Sequence, residues 1–377
     1  MRVAILADFP LHVIPFLGEK FRLGGHFKSW FPPIAEAFEG LPDIDLHWVV
    51  LSDRVNTLLE VRWKNQTFHV LPTTSKGRAA TLFARDRKSI TACLAEIKPQ
   101  LVHGWGTEDV HALAAATSGF PNIVSMQGLL SHYVLKNRMH PREYFQALIE
   151  LYVLRKAEIL TVESAWTRDL VLRRAPRAQV HLVEYGVQDV FMNTQWQPDP
   201  ETPAAIFVGS VTPRKGIQDA VAAFRDPSLA HAQLWVVGGH SSPWAEQLRL
   251  SGGPNIKWLG RASAQKTALL MSRAWCLVIP TRADTGPTVV KEARCVGLPV
   301  VGTRCGGLTT YIQPGENGFY ADPGDIGTLT SNLAALLSDL KKCQSMGAHL
   351  HEEHRQLLSP RRTAAGFYEL YRKVTAA

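Results

Sequence analysis

From residue 3 onward, short apolar runs of strand length alternate with stretches of helical periodicity, and the alternation runs through a chain of 377 residues. VAILADF (3–9), DLHWVVLS (45–52), LVHGWG (101–106), NIVSMQG (122–128) and EILTVES (158–164) read as strands. FKSWFPPIAEAFEGL (27–41), SITACLAEIKPQ (89–100) and YFQALIELYVLRKA (144–157) read as helices. Continuous apolar strands separated by helices imply a parallel sheet covered on both faces, because each strand has to bury both of its sides. The polar stretch MNTQWQPDPETP (192–203) interrupts the rhythm and reads as a linker. The rhythm then restarts with AAIFVGSV (204–211), QLWVVGG (233–239), NIKWLG (255–260), CLVIPT (276–281), LPVVGT (298–303) and NGFYAD (317–322). Helical patterns follow at 329–343 and, last, at RRTAAGFYELYRKV (361–374). At about 150 residues per domain the length also calls for two cores. The reading is α/β, with two doubly wound, Rossmann-like parallel-sheet domains facing across a cleft. The domains are 1–191 and 204–355, joined by 192–203, and the closing segment 356–377 can cross back to the first domain.

Composition narrows the partners. A formal charge of +8 favours anionic ligands such as nucleoside diphosphates or anionic lipid surfaces. The absence of a Lys/Arg-rich tract interleaved with aromatics argues against nucleic acid. Cys93, Cys276, Cys295, Cys305 and Cys343 form no CxxC pair and suit unpaired thiols in a reducing compartment. The opening MRVAILADF reads directly as a buried strand rather than a leader, and no run of 18 apolar residues occurs. A cytoplasmic protein is expected. The basic groups RDRK (85–88), KNR (136–138) and RRAPR (173–177) read either as solvated faces or as peripheral contacts with an anionic inner membrane face.

Two stretches carry chemistry. GSVTPRKG (209–216) follows a strand and precedes a helix. Ser210, Thr212, Arg214, Lys215 and the backbone at Gly216 would therefore meet an anion at a helix N-terminus. The Walker spacing is absent, and such a turn also reads as a solvated loop. In DTGPTVVKEA (284–293), Asp284 lies on the loop at the carboxyl end of strand CLVIPT, and Glu292 lies about two turns inside the helix that follows. A buried acid there needs a hydrogen-bond partner, and a ribose diol offers two donors. The N–H groups from Gly286 to Val289 can meet phosphate or a sugar oxygen. Taken singly, Asp284 also reads as a helix cap and Glu292 as the partner of a basic neighbour.

In order, the second half reads FVGSVTPRKG, VVGGH, WLGR, IPTRAD, KEA, VGLPVVGTRCGG and PGENGFYADPGD. As an ordered set over roughly residues 204–325, this resembles the retaining GT-B glycosyltransferases, in particular the GT4 family (glycosyl transferases group 1). The first half is similar more loosely, through LGGHFKSW (23–30), LVHGWG, and ILTVESAWTRDLV (159–171) followed by VHLVEYGV (180–187). The resemblance implies a donor pyrophosphate held by Lys215, a ribose held by Glu292, and a donor sugar held by Asp284 with Thr285, Gly286, Pro287, Thr288 and Val289. It places Arg261 by the base and lets Gly24 and Gly25 close a loop on the phosphates. Three positions depart from the family pattern. Ser210 stands where the family has a phosphate-binding Arg, with Arg214 as its substitute; Asp284 stands for Glu; and Gln127 stands for the His near the reacting sugar. Gln127 and His103 are candidate contacts to acceptor or donor sugar.

The reaction implied is a retaining hexosyl transfer from a UDP or GDP sugar to a hydroxyl on a glycan, lipid-linked or small-molecule acceptor. It runs on the front face of the sugar and uses no cofactor and no metal. The DID at 43–45 mimics a metal-binding DxD but precedes a strand instead of ending one. Other readings are a non-catalytic nucleotide-sugar binder and a nucleotide-sugar epimerase. A dinucleotide oxidoreductase is disfavoured because no GxGxxG follows a strand.

Overall fold

The computed structural model of the chain describes residues 1–18, 20–21, 30–74, 78, 81–107, 109–136, 141–239 and 241–376. Gly24 and Gly25 lie outside the described residues. The chain forms two compact units, Met1–Tyr185 with Pro360–Ala377, and Gly186–Ser359.

The first unit holds β1 (Arg2–Leu6), β2 (Asp45–Ser52), β3 (Leu59–Trp63), β4 (Gln66–Pro72), β5 (Leu101–Trp105), β6 (Asn122–Ser125), β7 (Ile159–Val162) and β8 (Gln179–Leu182). They make one sheet in the order β3-β4-β2-β1-β5-β6-β7-β8, parallel except for the β3–β4 pair. Val3 and Ile5 enter the apolar cluster on one face, and Ala4 and Leu6 the cluster on the other. This two-sided burial is what makes β1 read as an unbroken apolar run. The β3–β4 hairpin has no such signature. Its two-residue turn is Lys64-Asn65, both left-handed with φ of 50° and 58°, which is type I′ geometry without the usual glycine.

The second unit holds β9 (Ala204–Val208), β10 (Gln233–Val237), β11 (Ile256–Gly260), β12 (Cys276–Ile279), β13 (Val300–Thr303) and β14 (Gly318–Ala321). All are parallel, in the order β11-β10-β9-β12-β13-β14. The stretch 192–203 is not a free connection. Trp196 Nε1 donates to the Ala274 carbonyl at 2.7 Å, and Trp275 Nε1 to the Asp199 carbonyl at 2.7 Å. The Gln197 N–H donates to the Ser272 carbonyl at 2.8 Å. Its indole and backbone donors strap this polar stretch to the second unit, and the unit boundary falls earlier, between Tyr185 and Gly186.

The last helix, Pro360–Thr375, belongs to the first unit, where Phe367, Leu370 and Tyr371 join the cluster that contains Val3 and Trp105. Beneath it lies His103 on β5, with no exposed surface. Its Nδ1 is 2.6 Å from the Tyr371 hydroxyl and its Nε2 is 2.6 Å from Ser125 Oγ. Burial drives its pKa down to about 3, so the imidazole is neutral, with one ring nitrogen donating and the other accepting. The expectation that His103 touches a substrate is therefore corrected: a side chain with no exposed atom and two satisfied nitrogens is part of the core. Tyr371→Phe leaves one of those nitrogens unpaired and should cost about 1–3 kcal/mol in urea unfolding. Because the folded-state pKa lies below the ordinary 6.5, this group's contribution is present above that pH and is lost as pH falls towards 3. His103→Gln should flatten the acid slope of stability.

Candidate functional site

In the second unit, strand order reverses at β9: β10 and β11 lie on one side, β12, β13 and β14 on the other. Ligands of open α/β sheets sit beyond the carboxyl ends of the strands at such a switch point. The two loops there, after β9 and after β12, carry the residues that the sequence singled out.

The chain leaves β9 through Gly209 and forms a single 3-10 turn, Pro213–Lys215, followed by the helix Ile217–Ala223. Gly216 joins them with φ of +72°, and a Cβ there would lie 1.7 Å from the Pro280 carbonyl oxygen. Only glycine permits this turn and this approach. The loops are then bonded backbone to backbone. The Arg282 N–H donates to the Arg214 carbonyl at 2.8 Å, and Arg214 Nη1 donates to the Ala283 carbonyl at 2.7 Å. Arg282 also reaches buried Asp219 on the following helix, with Nη2 3.0 Å from Oδ1. Arg214 therefore braces the two loops as well as standing beside Lys215.

The result of this clasp is one contact: Lys215 Nζ lies 2.5 Å from Asp284 Oδ2, both side chains mostly buried. Asp284 is not the helix cap. The N-cap of the helix Thr288–Val296 is Pro287, which has no capping side-chain bond. The N–H groups of Thr288 and Val289 lead the helix and have no intrahelical acceptor. Thr285 and Pro287 are buried, while Gly286, Thr288 and Val289 are half-buried. Gly306, after β13, closes the third side with φ of +58°, and a Cβ there would lie 1.8 Å from the Asp284 carbonyl oxygen.

Glu292 is the fifth residue of this helix, little more than one turn from its start and not two, because the helix begins late, after the Gly-Pro turn. It is 9% exposed, and burial pushes its pKa up to about 8. Among the described residues no hydrogen bond or ion pair reaches its carboxyl group. The basic neighbours are turned elsewhere. Lys291 Nζ lies 5.6 Å from the centre of the Tyr311 ring, and Arg294 donates to the carbonyls of Leu298 and His349. The ion-pair reading of Glu292 therefore falls away, and a buried acid is left to an incoming donor.

Ser210 is exposed on the loop after β9, and Arg261 is exposed after β11. The Arg261 side chain lies across the β10 loop, where a Cβ on Gly239 would be 2.7 Å from its Nε. Gln127 is half-buried in the first unit, in the loop after β6. Sequence reading missed Asp219 and Arg282, whose pairing is non-local. It also missed a pocket of about 230 Å3 at the carboxyl ends of β1, β2 and β4 that includes Asp8, Ser52, Asp53 and Arg78. The position of Asp8 directly after an apolar strand was the available signal.

Known proteins can be set beside this geometry. Residues 202–339, which include Lys215, Asp284 and Glu292, match the family model for glycosyl transferases group 1. The chain is 27% identical to the sulfoquinovosyl transferase SQD2 of Arabidopsis thaliana, over 69% of this chain and 54% of that protein. The aligned stretches span about half the length of such curated relatives. Among solved structures, the sucrose-phosphate synthase of Thermosynechococcus elongatus matches with a TM-score of 0.80 at 19% identity, covering 100% of this chain and 99% of that one. The Anabaena protein HepE in complex with UDP-glucose matches at 0.72 and 14% identity, covering 99% and 100%. The ordered motifs of the second unit, the two parallel sheets and these matches converge: residues 202–339 match the glycosyl transferases group 1, and the chain as a whole has the GT-B fold.

Proposed function

We propose that the protein is a retaining glycosyltransferase that moves a hexosyl-type sugar from a nucleoside-diphosphate sugar to a hydroxyl acceptor. The observation that carries this reading is the juxtaposition of Lys215 with Asp284 at the strand-order reversal, with the unpartnered acid Glu292 on the same loop-and-helix element. Lys215 and the leading N–H groups of the helix at Thr288 and Val289 take the diphosphate. Glu292 takes the ribose diol. Asp284 holds the Lys215 ammonium and accepts from donor-sugar hydroxyls. Uridine is the preferred base, by analogy with the UDP-glucose held by HepE. The acceptor hydroxyl is assigned to the first unit, where the pocket with Asp8 and Asp53 offers carboxylates to a polyol.

The chemistry follows from charge. As the bond between sugar and phosphate breaks, negative charge grows on the departing diphosphate, and the donor's own phosphate oxygen takes the proton of the incoming hydroxyl. A fixed cation and fixed N–H dipoles stabilise that charge without reorganising. The residues on the protein side therefore bind, orient and neutralise, and none has to shuttle a proton.

Three outcomes are expected. In a thermal-shift screen, UDP should raise the melting temperature more than GDP; a larger shift with GDP overturns the base assignment. Lys215→Ala should lower kcat by roughly 10²–10³-fold with a much smaller change in KM, because the cation acts on charge that develops in the transition state. Equal losses in binding and turnover would remove it from that role.

The third outcome concerns Glu292→Gln. It should weaken UDP binding by about 1.5–3 kcal/mol, the value of a hydrogen bond to a charged group. Because the unliganded acid has a pKa near 8 and the diol favours its ionised form, wild-type UDP affinity should rise with pH through that value. The part due to this group should be missing in the Gln variant. Stability has the opposite sign. The unfolded chain ionises this acid near 4.5 but the folded chain only near 8, so its contribution is fully present below the lower value and lost as pH rises to the higher. Glu292→Gln should therefore melt above wild type at pH about 8 and lose that advantage at pH about 5.

A further inference from the structure

Away from the donor loops, the first unit carries an apolar groove of about 330 Å3 whose walls include Leu82, Phe145, Leu148 and Tyr152, with Arg87 among them. One wall is the helix Pro141–Lys156. Its inner residues, such as Val153 and Leu154, are buried, yet it also turns Tyr144, Phe145, Leu148 and Tyr152 to solvent, Leu148 being 64% and Tyr152 52% exposed. Residues 144, 148 and 152 recur every four positions and so share one face of the helix. Leu82 stands at the facing edge, 47% exposed on a left-handed backbone with φ of 51°. Large apolar side chains gathered on a surface mark a contact site.

Among the described residues, the exposed charges on the helices beside this face are mostly basic. Arg142, Arg155 and Lys156 on the same helix are exposed, as are Arg85 and Lys88 on the neighbouring helix Ala84–Ile97. Most of the acids are withdrawn, and Glu158, exposed two residues past the helix, accepts from the Asn122 amide at 3.3 Å. Glu150 is fully buried and accepts from the N–H groups of Leu130 and Ser131 and from the Thr107 hydroxyl. Asp86 is buried against Arg78, and Glu143 is half-buried. Glu96 is exposed but lies nine residues beyond Arg87, about 13 Å along the helix. An apolar strip containing tyrosines and bordered by cations matches a surface that is apolar within and anionic at its boundary, since tyrosine rings suit the headgroup level and Lys/Arg the lipid phosphates.

We propose that this face of the first unit docks on an anionic phospholipid bilayer, with Tyr144, Leu148 and Tyr152 entering the boundary of the acyl region. The proposal does not depend on the donor assignment. Its test is cosedimentation of the whole chain with vesicles of phosphatidylcholine alone, or of phosphatidylcholine with phosphatidylglycerol, at low and at high salt. Binding is expected only to the anionic vesicles and only at low salt. Leu148→Glu should abolish it, and Arg155→Ala should weaken it about fivefold. Both side chains are exposed, so the thermal melt of each variant should match wild type and separate a lost surface from a lost fold. Failure of the wild type to bind anionic vesicles at low salt overturns the proposal. So does a Leu148→Glu variant that binds as tightly as wild type. A wild-type dimer that Leu148→Glu dissociates, with no vesicle binding by either form, would assign the face to a second copy of the chain and overturn it equally.

Discussion

The second unit's chemistry depends on a backbone clasp between two loops. The Arg282 N–H on the Arg214 carbonyl, the Arg214 guanidinium on the Ala283 carbonyl, and the close approach of Gly216 to Pro280 join the ends of two adjacent parallel strands. Neither loop could hold its polar side chain in place alone, because a long lysine on a surface turn has many rotamers to lose. Joined, they bring the Lys215 ammonium to the Asp284 carboxylate at 2.5 Å. That contact joins the loop after β9 to the loop that leads into the helix Thr288–Val296. Arg282 on buried Asp219 ties the clasp to the helix behind it, so the two loops and that helix are held as one piece.

The same helix carries a second consequence of packing. Thr288–Val296 is buried along most of its length, and its two cations are turned away, Lys291 over the Tyr311 ring and Arg294 onto the carbonyls of Leu298 and His349. Arg294 is itself so desolvated that its pKa falls to about 10. Glu292 lies between these two residues in sequence but shares neither of their partners, and its acid stays protonated well above the usual carboxylate range. A folded protein tolerates such a group only at some cost to its own stability, which a donor of two hydroxyl hydrogen bonds can offset. The contrast with His103 is instructive. It too is a buried titratable group, but Tyr371 and Ser125 satisfy both of its ring nitrogens, so it reports on the core and not on a ligand.

Sequence alone determined the class of fold and the stretches of the second unit that matter. A strand buried on both faces has to be apolar throughout, and that signature survives without coordinates, as β1, β9 and β12 illustrate. Ordered small-residue motifs such as GSVTPRKG and DTGPT are likewise local, because the turns they form constrain nearby residues only. Tertiary structure decided whatever depended on a distant partner. The β3–β4 hairpin rests on the left-handed Lys64-Asn65 turn and was invisible. The polar stretch 192–203 looked free until Trp196 and Trp275 were seen to bond across it. His103 became a core residue only when a helix 268 positions away placed a tyrosine hydroxyl on it. Of the readings that the sequence left open, the fold removed the helix cap for Asp284 and the basic partner for Glu292, because composition and spacing record which groups are present, whereas the fold alone records which of them pair.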